Sequence, residues 1–315
     1  MAGILTLGEL LIDLTQTGSD ANGNGVFTAF PGGAPANVAV AASRLGAKSA
    51  FIGKVGDDSF GRALAGVLEK EGVDTRGLYT DKSEHTTLAI VAVDETGERD
   101  FAFYRSPGAD TQLTAEEAVA AVDANGDAVI LHVGSLSLTN NPSADACRAA
   151  VEAARAKGIC ISYDPNYRAA LWSDEETAIE GMKSLLSLTD VLKVSEEEME
   201  MLTGSADLDE GSAALAGYGI KLVMVTLGGD GMYYRTADGS GKIPGEKVTV
   251  KDTNGAGDTF LGATLSRLAA RDGVLSGVSN AELEEIFRFA NRAAARTCAG
   301  SGAIPAMPYL RDLTE

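Results

Sequence analysis

Asp252-Thr-Asn-Gly-Ala-Gly-Asp258 runs directly into Thr259-Phe-Leu-Gly-Ala-Thr-Leu-Ser-Arg-Leu268. Leu261, Thr264, Leu265 and Leu268 recur at helical spacing, so the glycines fall where a helix begins. A helix start leaves backbone N–H groups unpaired and carries the positive end of the helix dipole. Small residues there let an anion approach the backbone closely, which makes the turn a candidate phosphate cradle. Asp258 falls in the first helical turn, where a carboxylate either caps the helix or waits beside a reacting group. A free aspartate has a pKa of about 4, far too low to strip an alcohol in advance. It can accept the alcohol's proton while a phosphoryl group moves, help worth roughly 10²–10⁴ in rate.

Short apolar runs alternate with amphipathic stripes over the rest of the chain. Strand candidates are Ile4–Leu7, Ala50–Ile52, Val129–Val133, Ile159–Tyr163, Asp190–Val194 and Leu222–Thr226. Between them, Val38/Ala41/Ala42/Leu45, Phe60/Ala63/Leu64/Val67, Cys147/Ala150/Val151/Ala154 and Ile286/Phe289/Ala290/Ala293 mark helical faces. Continuously apolar strands separated by helices predict an α/β fold with a mostly parallel sheet covered on both faces. One segment breaks the alternation. Thr86–Val93 and Asp100–Arg105 read as adjacent strands joined by Asp94-Glu-Thr-Gly-Glu98, a hairpin with a glycine-containing turn. With residues 14–30, the segment 86–105 predicts a small β-sheet lid over the carboxyl ends of the main strands, where open α/β sheets bind ligands. No repeat or linker divides residues 1–315, so one domain with this lid subdomain is expected.

Composition narrows the possible functions. The 315 residues are 45% hydrophobic and 23% charged, ordinary globular values that argue against disorder. No run approaches the roughly 18 apolar residues of a spanning helix. MAGILTLGELLIDLTQ carries Glu9 and Asp13 inside its apolar stretch and no basic residues before it, which predicts a first strand, not a signal peptide, and a cytoplasmic protein. Cys147, Cys160 and Cys298 show no CxxC spacing and read as buried thiols in a reducing compartment. Only His85 and His132 are present, too few for a histidine metal cage. With 26 basic and 45 acidic residues, the formal charge of −19 repels nucleic acid and anionic membranes. Phosphate must then be gripped by local devices: backbone N–H groups, a few placed cations and a divalent ion. No GxxxxGK[ST] occurs, and Gly8-Glu9-Leu10 lacks the GxGxxG spacing after the first strand, which removes the P-loop and the dinucleotide fingerprint.

Asp252–Phe260 matches DTxGAGDxF, the C-terminal signature of the ribokinase-like, or PfkB, carbohydrate kinases, which this chain resembles. A second family signature runs from Gly32-Gly33-Ala34-Pro35-Ala36-Asn37-Val38-Ala39 to Leu45-Gly46, and the likeness extends from Gly8 to Pro308. It implies a Rossmann-like ribokinase fold with a β-sheet lid. It also implies an ATP-dependent sugar kinase with Asp258 as catalytic base and Gly255, Ala256 and Gly257 as anion hole. Asp13, Gly32, Gly33 and Asn37 match positions that hold sugar hydroxyls. Phe101-Ala-Phe-Tyr-Arg-Ser-Pro-Gly-Ala-Asp110 resembles the FYRxPxAD stretch of fructokinases, which implies Tyr104 and Arg105 facing the sugar.

Asp164-Pro-Asn166-Tyr-Arg168 with Leu171-Trp172 resembles DPNxRxxLW, which implies Arg168 meeting the transferring phosphate. Lys193-Val-Ser195-Glu-Glu-Glu198 occupies the place of the family's NxxE motif, with Ser for Asn; Lys193 is assigned to the nucleotide and Glu198 to Mg2+ through water. Thr226-Leu-Gly228-Gly-Asp-Gly231 resembles the nucleotide-binding turn, and Asn291 matches a position near adenine. Asp252 and the backbone of Asn254 stand where many members bind a monovalent cation, K+ among them. Fructose is the expected acceptor, through Ala34-Pro35-Ala36 and the FYRxPxAD stretch. A 2-keto-3-deoxygluconate kinase, another family sugar kinase, and a sugar-binding regulator that has lost catalysis stay open. Paired family lids imply a homodimer through the lid, with no nucleic-acid or membrane partner.

Overall fold

Residues 3–93 and 99–313 are described by the computed structural model of the chain. The predicted Asp94–Glu98 turn lies outside these described residues.

The chain enters the core on β1 (Gly3–Leu7), leaves it for the hairpin β2 (Leu11–Ser19) and β3 (Gly25–Gly32), and returns through α1 (Ala34–Arg44) to β4 (Lys48–Gly56). After α2 (Ser59–Lys70) and β5 (Asp74–Asp81), it makes a second excursion as β6 (Leu88–Val93) and β7 (Arg99–Tyr104). The next units are α3 (Ala115–Ala124), β8 (Ala128–Gly134), α4 (Ser143–Ala156), β9 (Cys160–Asp164) and α5 (Glu175–Lys183). They are followed by β10 (Val191–Ser195), α6 (Glu196–Thr203), α7 (Leu208–Ala216) and β11 (Leu222–Thr226). The hairpin β12 (Met232–Thr236) and β13 (Gly239–Ile243) ends the sheet, and α8 (Ala256–Ala269) and α9 (Asn280–Cys298) complete the fold.

The large sheet has nine strands in the order β13-β12-β11-β10-β9-β8-β1-β4-β5. It is parallel from β5 to β11 and antiparallel over its last two strands. Strand periodicity sends Ile4 toward α1, α8 and α9, and Leu5 and Leu7 toward α3–α7. All three side chains are buried, each burial worth about 1.5–3 kcal/mol. The lid is a separate four-stranded sheet, β3-β2-β6-β7, built from the two excursions as expected. It starts at Leu11, earlier than the residue 14 predicted, because β2 leaves the core as soon as β1 ends.

Two features place a site. Strand order reverses at β1, which lies between β8 and β4, opening a crevice at the carboxyl ends of the strands. Helix α8 also packs very closely on α1: a Cβ at Gly262 would stand 2.6 Å from Ala41 Cβ and 2.9 Å from the Val38 carbonyl oxygen. Only glycine permits that approach, and it brings the starts of both helices to the same crevice.

Candidate active site

Gly255 caps α8 from the left-handed region (φ 73°) and supplies no side-chain cap. Helix geometry leaves the N–H groups of Gly257 and Asp258 without intrahelical acceptors, whereas Ala256 N–H turns back to the Thr253 carbonyl at 3.3 Å. The free N–H groups at this helix start therefore belong to Gly257 and Asp258, whereas residues 255–257 were the expected stretch. Beneath the helix start lies a buried cation. Lys193 Nζ would stand 3.1 Å from a Cβ at Gly257 and donates to Asp164 Oδ2 at 2.8 Å. Burial pushes the lysine pKa down, but the carboxylates of Asp164, Glu198 and Asp258 outweigh it and hold the ammonium charged.

Asp258 is 8% exposed and accepts from Asn37 Nδ2 at 2.8 Å, a contact the α1–α8 crossing makes possible. Burial pushes its carboxyl up to about 6; Asp164 adds to the rise, while the Asn37 hydrogen bond, Lys193 and Arg168 oppose it. Asp13 on β2 is likewise raised to about 6, by burial first, against the hydrogen bond from Asn254. A Cβ at Gly32 would lie 2.4 Å from Asp13 Oδ2, so that glycine exists to let the carboxylate fold over it. Gly33 (φ 107°) is still tighter: its Cβ would meet the Glu9 carbonyl oxygen at 2.3 Å.

These groups line a pocket of about 110 Å³ with Glu9, Asp13, Gly33, Asn37, Asn166, Arg168, Asp252, Asn254 and Asp258 on its walls. A second cavity of about 640 Å³ lies on the other side of the α8 start. Its lining includes Thr226, Gly228, Gly231, Ala256, Gly257 and Asn291, with Val248 and Val250 as an apolar wall. Gly231 (φ 98°) cannot be replaced there, since a Cβ would sit 2.1 Å from the Ile243 carbonyl oxygen. The segment 252–258 is thus a partition: Asp252, Asn254 and Asp258 face the small pocket, Thr253, Ala256 and Gly257 the large one.

A family model described as "pfkB family carbohydrate kinase" matches residues 1–310. The chain belongs to that family. This kinase is 44% identical over 309 residues to fructokinase-2 of Solanum lycopersicum, covering 97% of this chain and 93% of the relative. It superposes on the crystal structure of a Xylella fastidiosa fructokinase with bound ATP at a TM-score of 0.91, with 34% identity over 99% of this chain and 96% of that one. A double mutant of the Vibrio cholerae O395 fructokinase, crystallised with fructose, ADP and potassium ion, aligns at a TM-score of 0.87 with 34% identity over 99% and 97% of the two chains.

Several predicted residues are held by partners within the kinase. Arg105 is buried: Nε donates to Asp110 Oδ2 at 2.7 Å, Nη1 to Thr139 at 2.7 Å and Nη2 to the Leu136 carbonyl at 3.0 Å. It braces the base of the lid. Tyr104 is 65% exposed, and its neighbour Phe103 lines the pocket opposite Ala89, as strand alternation requires. Glu198 forms a capping box with Ser195 and also accepts from Tyr167 N–H at 2.7 Å. Asn291 donates to the Pro244 carbonyl at 3.0 Å and so fixes the segment that walls the large cavity. Asp252 accepts from the N–H groups of Asn254 (3.0 Å) and Gly302 (2.9 Å).

Motif reading did not single out Glu9, Asp164 or the Lys193–Asp164 pair. An acidic residue at or just past the end of an apolar strand is the signal that marks Glu9 and Asp164, because that is where strand ends meet the crevice. Lys193→Met is expected to destabilise the kinase by about 3–5 kcal/mol in chemical denaturation, since Asp164 would remain buried without its counter-charge. Asp164→Asn combined with it should restore part of that loss; no restoration would show that the pair is not what holds this region.

Proposed function

We propose that the kinase transfers the γ-phosphoryl group of ATP to the C6 hydroxyl of D-fructose. The observation that carries this reading is the partition: one turn presents a carboxylate to a sugar-sized pocket and backbone N–H groups to a nucleotide-sized cavity. The sugar hydroxyl attacks phosphorus in line, the bond to the β-phosphate oxygen breaks, ADP leaves, and the hydroxyl proton passes to Asp258. A carboxyl near 6 is a better proton acceptor than a free aspartate, yet ionised at neutral pH. The N–H groups of Gly257 and Asp258, with the Lys193 ammonium behind them, oppose charge on the migrating phosphoryl oxygens, and Arg168 at the pocket wall meets it from the other side. Thr226, Gly228 and Gly231 would carry the rest of the nucleotide.

The donor set fits Mg2+ held through water. Both oxygens of Glu198 are fixed by backbone N–H groups and keep lone pairs for an ion's hydration shell, and Asp164 lies across Lys193 from it. Bound on the phosphates, Mg2+ would neutralise charge on the β- and γ-oxygens. Asp252 and the Asn254 carbonyl are the groups that would hold K+ beside the partition.

Pocket charge supports a neutral sugar over 2-keto-3-deoxygluconate. Among the described residues, Glu9, Asp13, Asp252 and Asp258 face it against Arg168 alone, and Arg105, the cation that would pair a substrate carboxylate, is engaged by Asp110. Coupled ADP release should therefore be fastest with fructose in a panel containing ribose, tagatose and 2-keto-3-deoxygluconate. Faster turnover of the acid would overturn the assignment, and no turnover of any sugar would favour a regulator.

We further infer a lid-to-lid homodimer. Val26, Phe27 and Tyr104 leave 45%, 45% and 65% of their surfaces exposed on the lid's two outer strands, an apolar surface suited to a second copy. Sedimentation that finds only monomers at micromolar concentration would contradict it. No helix among the described residues is long and apolar enough to cross a membrane. Three unpaired cysteines, all buried or half-buried, support a reducing, cytoplasmic setting.

A further inference from the structure

Two polar side-chain atoms on the wall of the small pocket are buried without a partner among the described residues, Asn37 Oδ1 and Glu9 Oε2. The first belongs to a residue whose amide already serves Asp258. The second has no role in the transfer described above. Glu9 follows β1 at the point where the sheet order reverses, and it is 2% exposed. Its Oε1 accepts from Ala34 N–H at 2.8 Å, standing in for the side-chain cap that Gly33 cannot give α1. That bond fixes the carboxyl group's orientation and leaves Oε2 as an acceptor with nothing to accept. A buried acceptor left unpaired is costly, and a hydroxyl donor entering the pocket removes that cost.

We propose that Glu9 is a specificity-determining residue of the sugar site, its Oε2 accepting a hydrogen bond from one non-reacting hydroxyl of the bound sugar. This rests on the sugar-kinase reading of the pocket. The arrangement divides labour within one carboxylate: one oxygen holds the Gly33–Ala34 turn in place, the other reads the substrate. It follows that the sugar recognises the ionised form. Burial pushes the Glu9 carboxyl up to about 7; the charged groups facing it are Arg105, which lowers it, and Asp110, which raises it. Protonation removes the acceptor, so sugar affinity must fall as pH drops through the neutral range and be fully present above it.

The test compares the wild type and Glu9→Gln on fructose and on its monodeoxy analogues by coupled ADP release. The glutamine can keep the Ala34 bond through its amide oxygen, and it replaces the second acceptor with a donor. In the wild type, one analogue should lose roughly 10- to 100-fold in kcat/KM, the worth of a hydrogen bond to a charged group. In Glu9→Gln, fructose itself should lose a comparable factor and that analogue little more, with the KM for ATP unchanged. The wild-type KM for fructose should also rise about twofold from pH 8 to pH 7, where Asp13 and Asp258 stay about nine-tenths ionised, and this rise should vanish in the variant.

A merely structural role would weaken fructose and every analogue by one factor and leave the discrimination intact; that outcome overturns the proposal. So does a wild-type KM for fructose that is flat over this pH range, a measurement that needs no variant to fold. If the wild type does not turn over fructose at all, the acceptor assignment fails instead. The same comparison then applies to the sugar that the panel selects.

Discussion

Asp258→Asn is expected to lower kcat by about 10²–10⁴ while fructose and ATP still bind within a few-fold of wild-type affinity. The replacement keeps the shape of the side chain, and its amide oxygen can still accept from Asn37 Nδ2, now 2.8 Å from the carboxylate. What it removes is the group that takes the hydroxyl proton. Because the carboxyl is raised to about 6, wild-type kcat should fall tenfold per pH unit below 6 and level off above it. The variant's residual activity should lack this limb. Stability should move the other way. A carboxyl whose folded pKa lies above its unfolded value of 3.8 costs folding free energy wherever it is ionised in the native state, so the penalty is full above pH 6 and absent below pH 3.8. Removing it is worth about 2–3 kcal/mol at pH 7.5. The inactive variant should therefore melt at a higher temperature than the wild type, a trade often found where a charged group is buried for function.

Gly255→Ala should cost about 10²–10³ in kcat with a smaller change in the KM for fructose. A methyl group at this position would stand 2.6 Å from Ala303 Cβ and 2.9 Å from Ala303 Cα, and the backbone is left-handed at φ 73°. The start of α8 has to shift, and the Gly257 and Asp258 N–H groups shift with it. Gly158→Ala is the control. Its backbone is also left-handed, at φ 75°, but nothing lies within 4 Å of the added carbon and it lines neither cavity. That change carries only the conformational penalty, about 1 kcal/mol, and should leave kcat within a few-fold. Equal losses in both variants would mean that backbone strain, not displacement of the phosphate cradle, governs the effect.

Much of the fold could be read from local pattern. Leu222–Thr226 is a strand with the predicted ends because it is an unbroken apolar run between polar neighbours. Ala50–Ile52 proved to be the centre of the longer Lys48–Gly56 strand. Lys54 hid the extension: its stem is buried while its ammonium reaches the Gln112 carbonyl at 2.9 Å, a partner that no local pattern announces. The strands β5, β12 and β13, at the two ends of the sheet, were not predicted, being short of the apolar run that marks a strand buried on both faces.

The site divides in the same way. Glycine-rich turns are legible because their chemistry is carried by consecutive residues. Arg105 pairs with Asp110 from the same FYRxPxAD stretch, and residue types alone do not say whether an arginine serves the substrate or its neighbour. Glu9 and Lys193 acquire their roles only from packing, one through the turn before α1, the other from below α8.

The most direct measurement is a crystal structure of the kinase with fructose and a non-hydrolysable ATP analogue. The fructose C6 oxygen should lie within about 2.6–3.2 Å of an Asp258 carboxylate oxygen. A γ-phosphate oxygen should lie at hydrogen-bonding distance from Gly257 N–H. A reacting hydroxyl held beyond reach of Asp258, or phosphates seated away from the start of α8, would contradict the proposed transfer.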